Sequence, residues 1–394
     1  MSLSGKSYQK GSFGFDLSYM SKRQKVVLLS SADSLSQVMI STEFQGRVIT
    51  STSSGLHGMS YGWLNYSAID KDTVMPHINA YGGEDRLWLG PEGGQFSIFF
   101  TKDSAFDFTH WQTPKELDSE PFDCLSHSRT EASFEKHFSL TNYSGTEFKI
   151  KINRSIRLLN KQTASNLLSS EIPESIEYVG YETENKITNL NDFEWNQKRG
   201  MLSIWILGMY VPSPGVTVVL PYKQGDEDEL GKIITDDYFG KVPFERLIID
   251  SGYIFFKCDG KYRSKIGISS KRAIPFSASY DEDNQVLTIV NYSLPGSNFY
   301  VNSEWKFQDD PFSGDAANSY NDGPMADGSQ MGPFYELESS SPAAQLKSGE
   351  SLTHFHRTFH FHGTEEKLNS ILQQSMGISL EKIKIAFDKS IHPL

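Results

Sequence analysis

The sequence predicts an all-β protein of the sandwich class, and three observations carry that prediction. Apolar residues recur with a period of two in short segments, each closed by Gly, Pro, Asn or Ser. Aromatic residues make up 13% of the 394, an enrichment that suits pleated, half-buried strands and flat platforms for binding rings. Helical periodicity is scarce before the C-terminal end.

In chain order, strands are predicted at "KVVLLSS" (25–31), "SQVMIST" (36–42), "GRVITSTSS" (46–54) and "GQFSIFF" (94–100). The next are "EFKIKINRSIRLL" (147–159), "LSIWILGMY" (202–210), "VTVVLPY" (216–222) and "GYIFFKCDG" (252–260). "QVLTIVNYSL" (285–294) and "FYVNSEWKF" (299–307) follow. Segments 161–199 and 224–245 are polar, acidic and poor in alternation, so they read as long excursions from the sheet, functional or wrapped over a surface. Near the C-terminus "TEEKLNSILQQSM" places Thr364 as a cap and Leu368, Ile371 and Leu372 on one side of a helix. "ISLEKIKIAF" (378–387) reads as a second short helix or a last strand. With no internal repeat and no linker, the simplest organisation is one β domain over 1–363, with long loops, and a helical tail over 364–394.

Composition excludes some classes of function. Lys+Arg 37 against Asp+Glu 49 gives a net charge of −12, and the chain has no basic run, so a nucleic-acid partner is not expected. No stretch is long and apolar enough for a membrane-spanning helix. Residues 1–20 show no basic-then-apolar leader. The chain therefore reads as soluble, periplasmic or secreted if a signal peptide has been removed and cytoplasmic otherwise. Cys124 and Cys258 read as free buried thiols rather than a disulfide framework. Oligomeric state stays open.

Three stretches carry more polar and aromatic side chains than turns require. In "PHINAYGGEDRLWLGPEGGQFSIFF" (76–100), the pairs Gly82–Gly83 and Gly93–Gly94 allow sharp turns or close approach. Between them, alternation puts Arg86 and Trp88 on one face, a guanidinium fork beside an indole plate that suits a sugar. The bland alternative is a core tryptophan with Arg86 paired to Glu84 or Asp85. The stretch 307–333, "FQDDPFSGDAANSYNDGPMADGSQMGP", reads as a turn-rich loop that could present Asn321 and Asp322 to a polar ligand. Its oxygens also raise Ca²⁺, but the spacing lacks the Glu that closes an EF-hand loop. Finally, Glu336 and Glu338 share a strand face, and His354, His356, His360 and His362 share a parity opposite to Phe355, Phe359 and Phe361. The phenylalanines need the core, which would leave the histidines solvated or packed against a loop. A zinc site on the histidines is the sharper alternative, and no metal or other cofactor is expected.

"YELESSSPAAQLKSGES" (335–351) followed by "HFHRTFHFHG" (354–363) resembles the closing strands of the galactose mutarotase-like superfamily, which includes the aldose 1-epimerases. "GGEDRLWLGPEGGQF" (82–96) is similar to that superfamily's early glycine–arginine segment. More narrowly, the chain resembles a subgroup of uncharacterised bacterial proteins within it. The resemblance implies a β-supersandwich with a sugar-sized groove. It implies Glu338 as the base of a mutarotation, with Glu336 as the fallback, and Arg86 as a hydroxyl-binding residue. The superfamily's catalytic histidine lies on a middle strand. The comparable stretch here, 140–160, holds Asn153, Arg154 and Arg157 but no histidine, so the acid role is assigned to His77 from another strand, with His137 behind it.

Three functions are carried forward. The first is a carbohydrate-active enzyme interconverting sugar anomers, with Glu338 and His77 catalytic and Arg86, Trp88, Glu336, Asp322 and Asn321 holding the sugar. The second is a carbohydrate-binding protein that lacks the acid. The third is a metal-dependent hydrolase or lyase built on the histidine stripe.

Overall fold

The computed structural model describes residues 7–71, 73–325 and 327–388. Residues 1–6 of the opening stretch and 389–394 of the tail lie outside the described residues.

Most of the alternating segments become strands, and others join them. In chain order these are β1 (Val26–Ser30), β2 (Gln37–Ser41), β3 (Arg47–Thr52), β4 (Arg86–Gly90), β5 (Asp123–His127) and β6 (Glu131–Thr141). Then come β7 (Glu147–Leu159), β8 (Glu177–Asn189), β9 (Ser203–Tyr210), β10 (Val216–Pro221), β11 (Leu247–Asp250) and β12 (Tyr253–Lys257). The last are β13 (Ser264–Ser269), β14 (Phe276–Asp281), β15 (Val286–Tyr292), β16 (Asp315–Asn321), β17 (Tyr335–Ser340) and β18 (Ser351–His362).

They form three antiparallel sheets. A ten-stranded sheet runs β11-β12-β10-β14-β15-β18-β8-β7-β6-β5, a five-stranded sheet runs β13-β16-β17-β9-β4, and β1-β2-β3 form a small third sheet. The five-stranded sheet turns one face inward. Leu87, Leu89, Ile204 and Ile206 pack with Ile150, Ile152, Ile156 and Val179 of the large sheet. Ile266, Ile268, Ala317 and Leu337 pack with Val216, Val218 and Phe256. Each such side chain contributes about 1.5–3 kcal/mol by leaving water, so the pairing of these faces is strongly driven. The outward face of the same strands is left for other chemistry.

Helix Glu365–Met376 follows Thr364 in the extended cap conformation, and helix Leu380–Lys384 starts at Ser379, whose side chain accepts from the Lys382 N–H. Leu368, Ile371, Leu372, Leu380 and Ile383 close over Leu287, Ile289, Phe359 and Phe361 on the back of the large sheet.

Five expectations are corrected. Residues 94–100 and 299–307 are irregular segments, not strands. Their aromatic residues instead pack loop on loop, with Phe100 edge-on to Trp305 at 5.2 Å. Segment 161–199 is no excursion: it contains a helix, Lys161–Leu168, and β8, which pairs with both β7 and β18. Segment 307–333 likewise contains β16. The histidine stripe has the expected parity, and His362 is half-exposed beside Glu177 as expected, but the other three have the opposite environment. Phe359 and Phe361 face the C-terminal helices, while His354, His356 and His360 are fully buried between the two large sheets. Hydroxyls make this tolerable: Ser339 bridges His354 Nε2 and His356 Nδ1 at 2.8 Å each, and Ser293 and Thr288 reach His354 and His360 at 2.9 Å. The cysteines are free, Cys258 buried and Cys124 only part-buried.

Candidate functional site

Pairing register aligns the outward side chains of the five-stranded sheet. Arg86 on β4 lies opposite Leu207 on β9, which lies opposite Glu338 on β17. One step along, Glu336 lies opposite Met209 and Tyr320, and Tyr320 lies opposite Lys265 on β13. One step the other way, Trp88 and Ser340 flank Trp205. The period of two thus gathers Arg86, Trp88, Trp205, Glu336, Glu338 and Lys265 on one face.

This face is charged and almost closed to water. Arg86 Nη2 donates to Glu336 Oε1 at 3.2 Å, with the two side chains only 3% and 7% exposed. The Arg86 guanidinium lies 4.2 Å from the Trp88 ring centroid, so the two share a face as alternation requires. Glu338 is fully buried, and its Oε2 accepts from Lys265 Nζ at 2.9 Å and from the Trp205 indole N–H at 2.8 Å. Lys265 also lies 4.7 Å from the Trp205 ring centroid and 5.7 Å from that of Tyr238. Tyr238 donates to Asp315 Oδ2 at 2.5 Å, and Gly267 leaves room for this: a Cβ there would sit 2.1 Å from the same oxygen. Trp88, Trp111, Trp205 and Phe99 form one aromatic wall, and Trp305 stacks on Trp111.

The charges are crowded enough to retain protons. Burial, reinforced by the charge of Glu338, pushes the Glu336 carboxyl up to about 8. Glu92, in the loop just after β4, is pushed up to about 7 by burial, with Lys265 opposing and Glu338 adding to the rise. Burial lifts Asp315 to about 6. Lys265 is held above the ordinary ammonium value: burial pulls it down, but Glu338, Glu92 and Glu336 together outweigh that.

Several buried polar atoms here have no partner in the protein. They are Glu338 Oε1, Arg86 Nε and Nη1, and the indole nitrogens of Trp88 and Trp111. An unsatisfied buried group costs about 1–3 kcal/mol, so a concentration of them marks a place shaped for something else to bind.

The sequence candidates divide accordingly. Arg86, Trp88, Glu336 and Glu338 are brought together. Asp322 accepts from the Tyr320 hydroxyl at 2.9 Å and from the Gly332 N–H at 3.1 Å, and its charge is felt at Glu336. Asn321 lies on the inward side, accepting from the Gly260 N–H and donating to the Tyr262 carbonyl, and so pins a turn. His77 bonds through Nδ1 to the Trp111 carbonyl at 2.6 Å and packs on Phe108, with no hydrogen bond, ion pair or ring contact to Arg86, Glu336 or Glu338. His137 is exposed on β6 beside Glu135. Neither Glu84 nor Asp85 pairs with Arg86: Glu84 accepts from His360, and Asp85 pairs with Arg154. Among the described residues no group of three or more His, Cys, Asp or Glu could hold a metal ion.

Sequence reasoning missed Glu92, Lys265, Trp205, Trp111 and Trp305. Glu92 lies past the end of β4 at Gly90, where alternation no longer sets the face of a side chain.

A family model described as a family of unknown function (DUF6786) matches residues 11–387. The chain belongs to that family. No curated protein matches it. Among solved structures it is similar to a protein of Escherichia coli K12 described as a candidate aldose 1-epimerase, with 12% identity and a TM-score of 0.52 over 85% of this chain and 98% of that one. It is also similar to the Slr1438 protein of Synechocystis sp. PCC 6803, with 12% identity and a TM-score of 0.53 over 86% of this chain and 97% of that one. At such identity the likeness is one of fold. This member of the family has the galactose mutarotase-like β-supersandwich, with short C-terminal helices.

Proposed function

We propose that the outward face of the five-stranded sheet binds a carbohydrate and interconverts its anomers by general acid–base catalysis. The observation that carries this reading is the set of unpartnered groups around Glu338. Oε2 is held by Lys265 and Trp205 while Oε1 is uncommitted, and on the same face Arg86 keeps two nitrogens without protein partners. A sugar offers hydroxyls for such donors and a C–H face for the tryptophan wall.

In this reading Glu338 is the base. It takes the proton of the anomeric hydroxyl while an acid protonates the ring oxygen; the ring opens, C1–C2 rotates, and the ring recloses on the other face. Arg86 and Trp88 hold the sugar, and Glu336 orients the Arg86 guanidinium. Such assistance contributes about 10²–10⁴-fold when each group titrates near the working pH. The similar E. coli protein, described as a candidate aldose 1-epimerase, supports the choice of chemistry by its fold alone.

The test is equilibration of fresh α-D-glucose and α-D-galactose, followed by polarimetry or NMR. Acceleration by the protein, lost in Glu338→Gln, is the expected result. A Glu338→Gln variant as fast as the parent removes the base assignment. Binding on a glycan array without acceleration of any sugar would leave a carbohydrate-binding protein.

A further inference from the structure

Anomer interconversion needs an acid as well as a base, and His77 and His137, the two histidines expected to supply one, make no contact with Glu338. The hydroxyl that loses its proton and the ring oxygen that gains one are bonded to the same carbon, so acid and base must stand side by side. Of the two donors to Glu338 Oε2, the Trp205 indole N–H does not titrate and Lys265 does. Lys265 extends from β13 across β16 to β17, where its Nζ lies 2.9 Å from Oε2 while Oε1 stays without a protein partner. A single carboxylate thus offers a free oxygen and, one hydrogen bond away, an ammonium.

The ammonium is placed by contacts on several sides. The Trp205 ring centroid lies 4.7 Å from Lys265 Nζ, and that of Tyr238 lies 5.7 Å away. Tyr238 is fixed in turn, donating to Asp315 and accepting from Asn318 Nδ2 at 3.2 Å. The Lys265 side chain is only 12% exposed, and its bond to Glu338 is its one hydrogen bond among the described residues, so donors remain for a ligand. Arg86, the other cation on this face, keeps its proton at any working pH. Burial favours the neutral amine of Lys265, and Glu338 is foremost among the glutamates, with Glu92 and Glu336, whose charge holds it as an ammonium. Once Glu338 has taken a proton, that hold weakens. The base thereby makes its neighbour a stronger acid at the moment a proton is wanted.

We infer that Lys265 is the general acid of this site, giving its ammonium proton to the ring oxygen as Glu338 takes that of the anomeric hydroxyl. The inference rests on the proposed anomer interconversion. In the opening step Glu338 Oε1 takes the proton of the C1 hydroxyl and a C1=O bond forms. The C1–O5 bond breaks, its electron pair goes to O5, and O5 takes a proton from Lys265, leaving the neutral amine. After rotation about C1–C2, O5 attacks the other face of C1 while the amine takes its proton back, and Glu338 returns its own proton to the carbonyl oxygen. The ion pair is restored and nothing is consumed.

The experiment measures kcat and KM for fresh α-D-glucose and α-D-galactose in the intact protein and in the Lys265→Arg, Lys265→Ala and Glu338→Gln variants, with and without added ethylamine. Lys265→Arg keeps a cation for Glu338 but releases no proton, so kcat should fall by about 100-fold or more with little change in KM. Lys265→Ala should fall at least as far and recover part of its rate in ethylamine, above the background of ethylamine alone, because the added ammonium supplies the missing proton. A lysine that only supported the fold would give no such response. The parental rate in Lys265→Arg, or no response of Lys265→Ala to ethylamine, overturns the assignment, and an inactive Glu338→Gln in the same assay then leaves the sugar chemistry standing. If the parent accelerates neither sugar, both fall together.

Discussion

The five-stranded sheet carries two buried polar clusters on its opposite faces, and they are built differently. On the inward face, Glu84 accepts from Ser51, Tyr181 and His360, and Asp85 accepts from Arg154 at 2.6 Å and from Thr183 at 2.8 Å. Ser339 serves both His354 and His356. Of these groups, His356 Nε2 has no partner, but Asp85 is matched by Arg154 and both Glu84 oxygens have donors. On the outward face, three glutamates crowd one lysine and one arginine, two of the glutamates retain protons toward neutrality, and oxygens and nitrogens are left over. Burial of polar groups does not by itself indicate a site. Leftover hydrogen-bonding capacity and mismatched charge do, because folding alone gains nothing from them.

This contrast can be broken experimentally, and the largest effect is expected on the inward face. Arg154→Ala would strand Asp85 in the interior and should cost about 3–5 kcal/mol of stability, read as a lowered urea midpoint. Glu338→Gln keeps an oxygen acceptor for Lys265 and Trp205, so its urea midpoint should fall less than that of Arg154→Ala while activity is lost as stated above.

The pH response should separate the two faces further. Burial lowers His354 to about 3 and His356 to about 4, so folding keeps both neutral where the unfolded chain, near 6.5, takes up protons. Their contribution is present above about pH 6.5 and is lost as pH falls toward 4. Glu336 runs the other way. Raised from 4.5 to about 8, it must stay protonated when folded, so stability declines as pH rises between those values. Glu336→Gln should therefore gain on the order of 1 kcal/mol over the parent at pH 8 and nothing at pH 4, measured by denaturation at the two pH values. The smallest effect expected is that of Trp205→Phe, which removes one donor to Glu338 Oε2 and should lower kcat/KM by about 3–10-fold.

Legibility in the sequence followed the same division. Strands such as β7 and β9 were readable because their buried sides are apolar. β8 was not, since its inner side holds Thr183, Asn185 and Asn189, fully buried yet polar, and the pattern mimics a loop. β16, with Asn318 and Asn321 buried, was obscured for the same reason. In the site, alternation alone joined Arg86 to Trp88 and Glu336 to Glu338. Lys265 could not be found that way, because only the pairing of β13 with β16 carries it next to residues some seventy positions away. The histidines misled because periodicity gives parity, and parity does not say which side of a strand is the wetter one when both are covered.

Strand β17 belongs to both clusters at once, with Glu336 and Glu338 pointing one way and Ser339 the other. Sliding it by a single residue would bury carboxylates among imidazoles and turn the serine outward. The hydroxyl clasped by two rings therefore works as a detent for alignment, so that a contact with no chemical duty decides where the reacting oxygens stand.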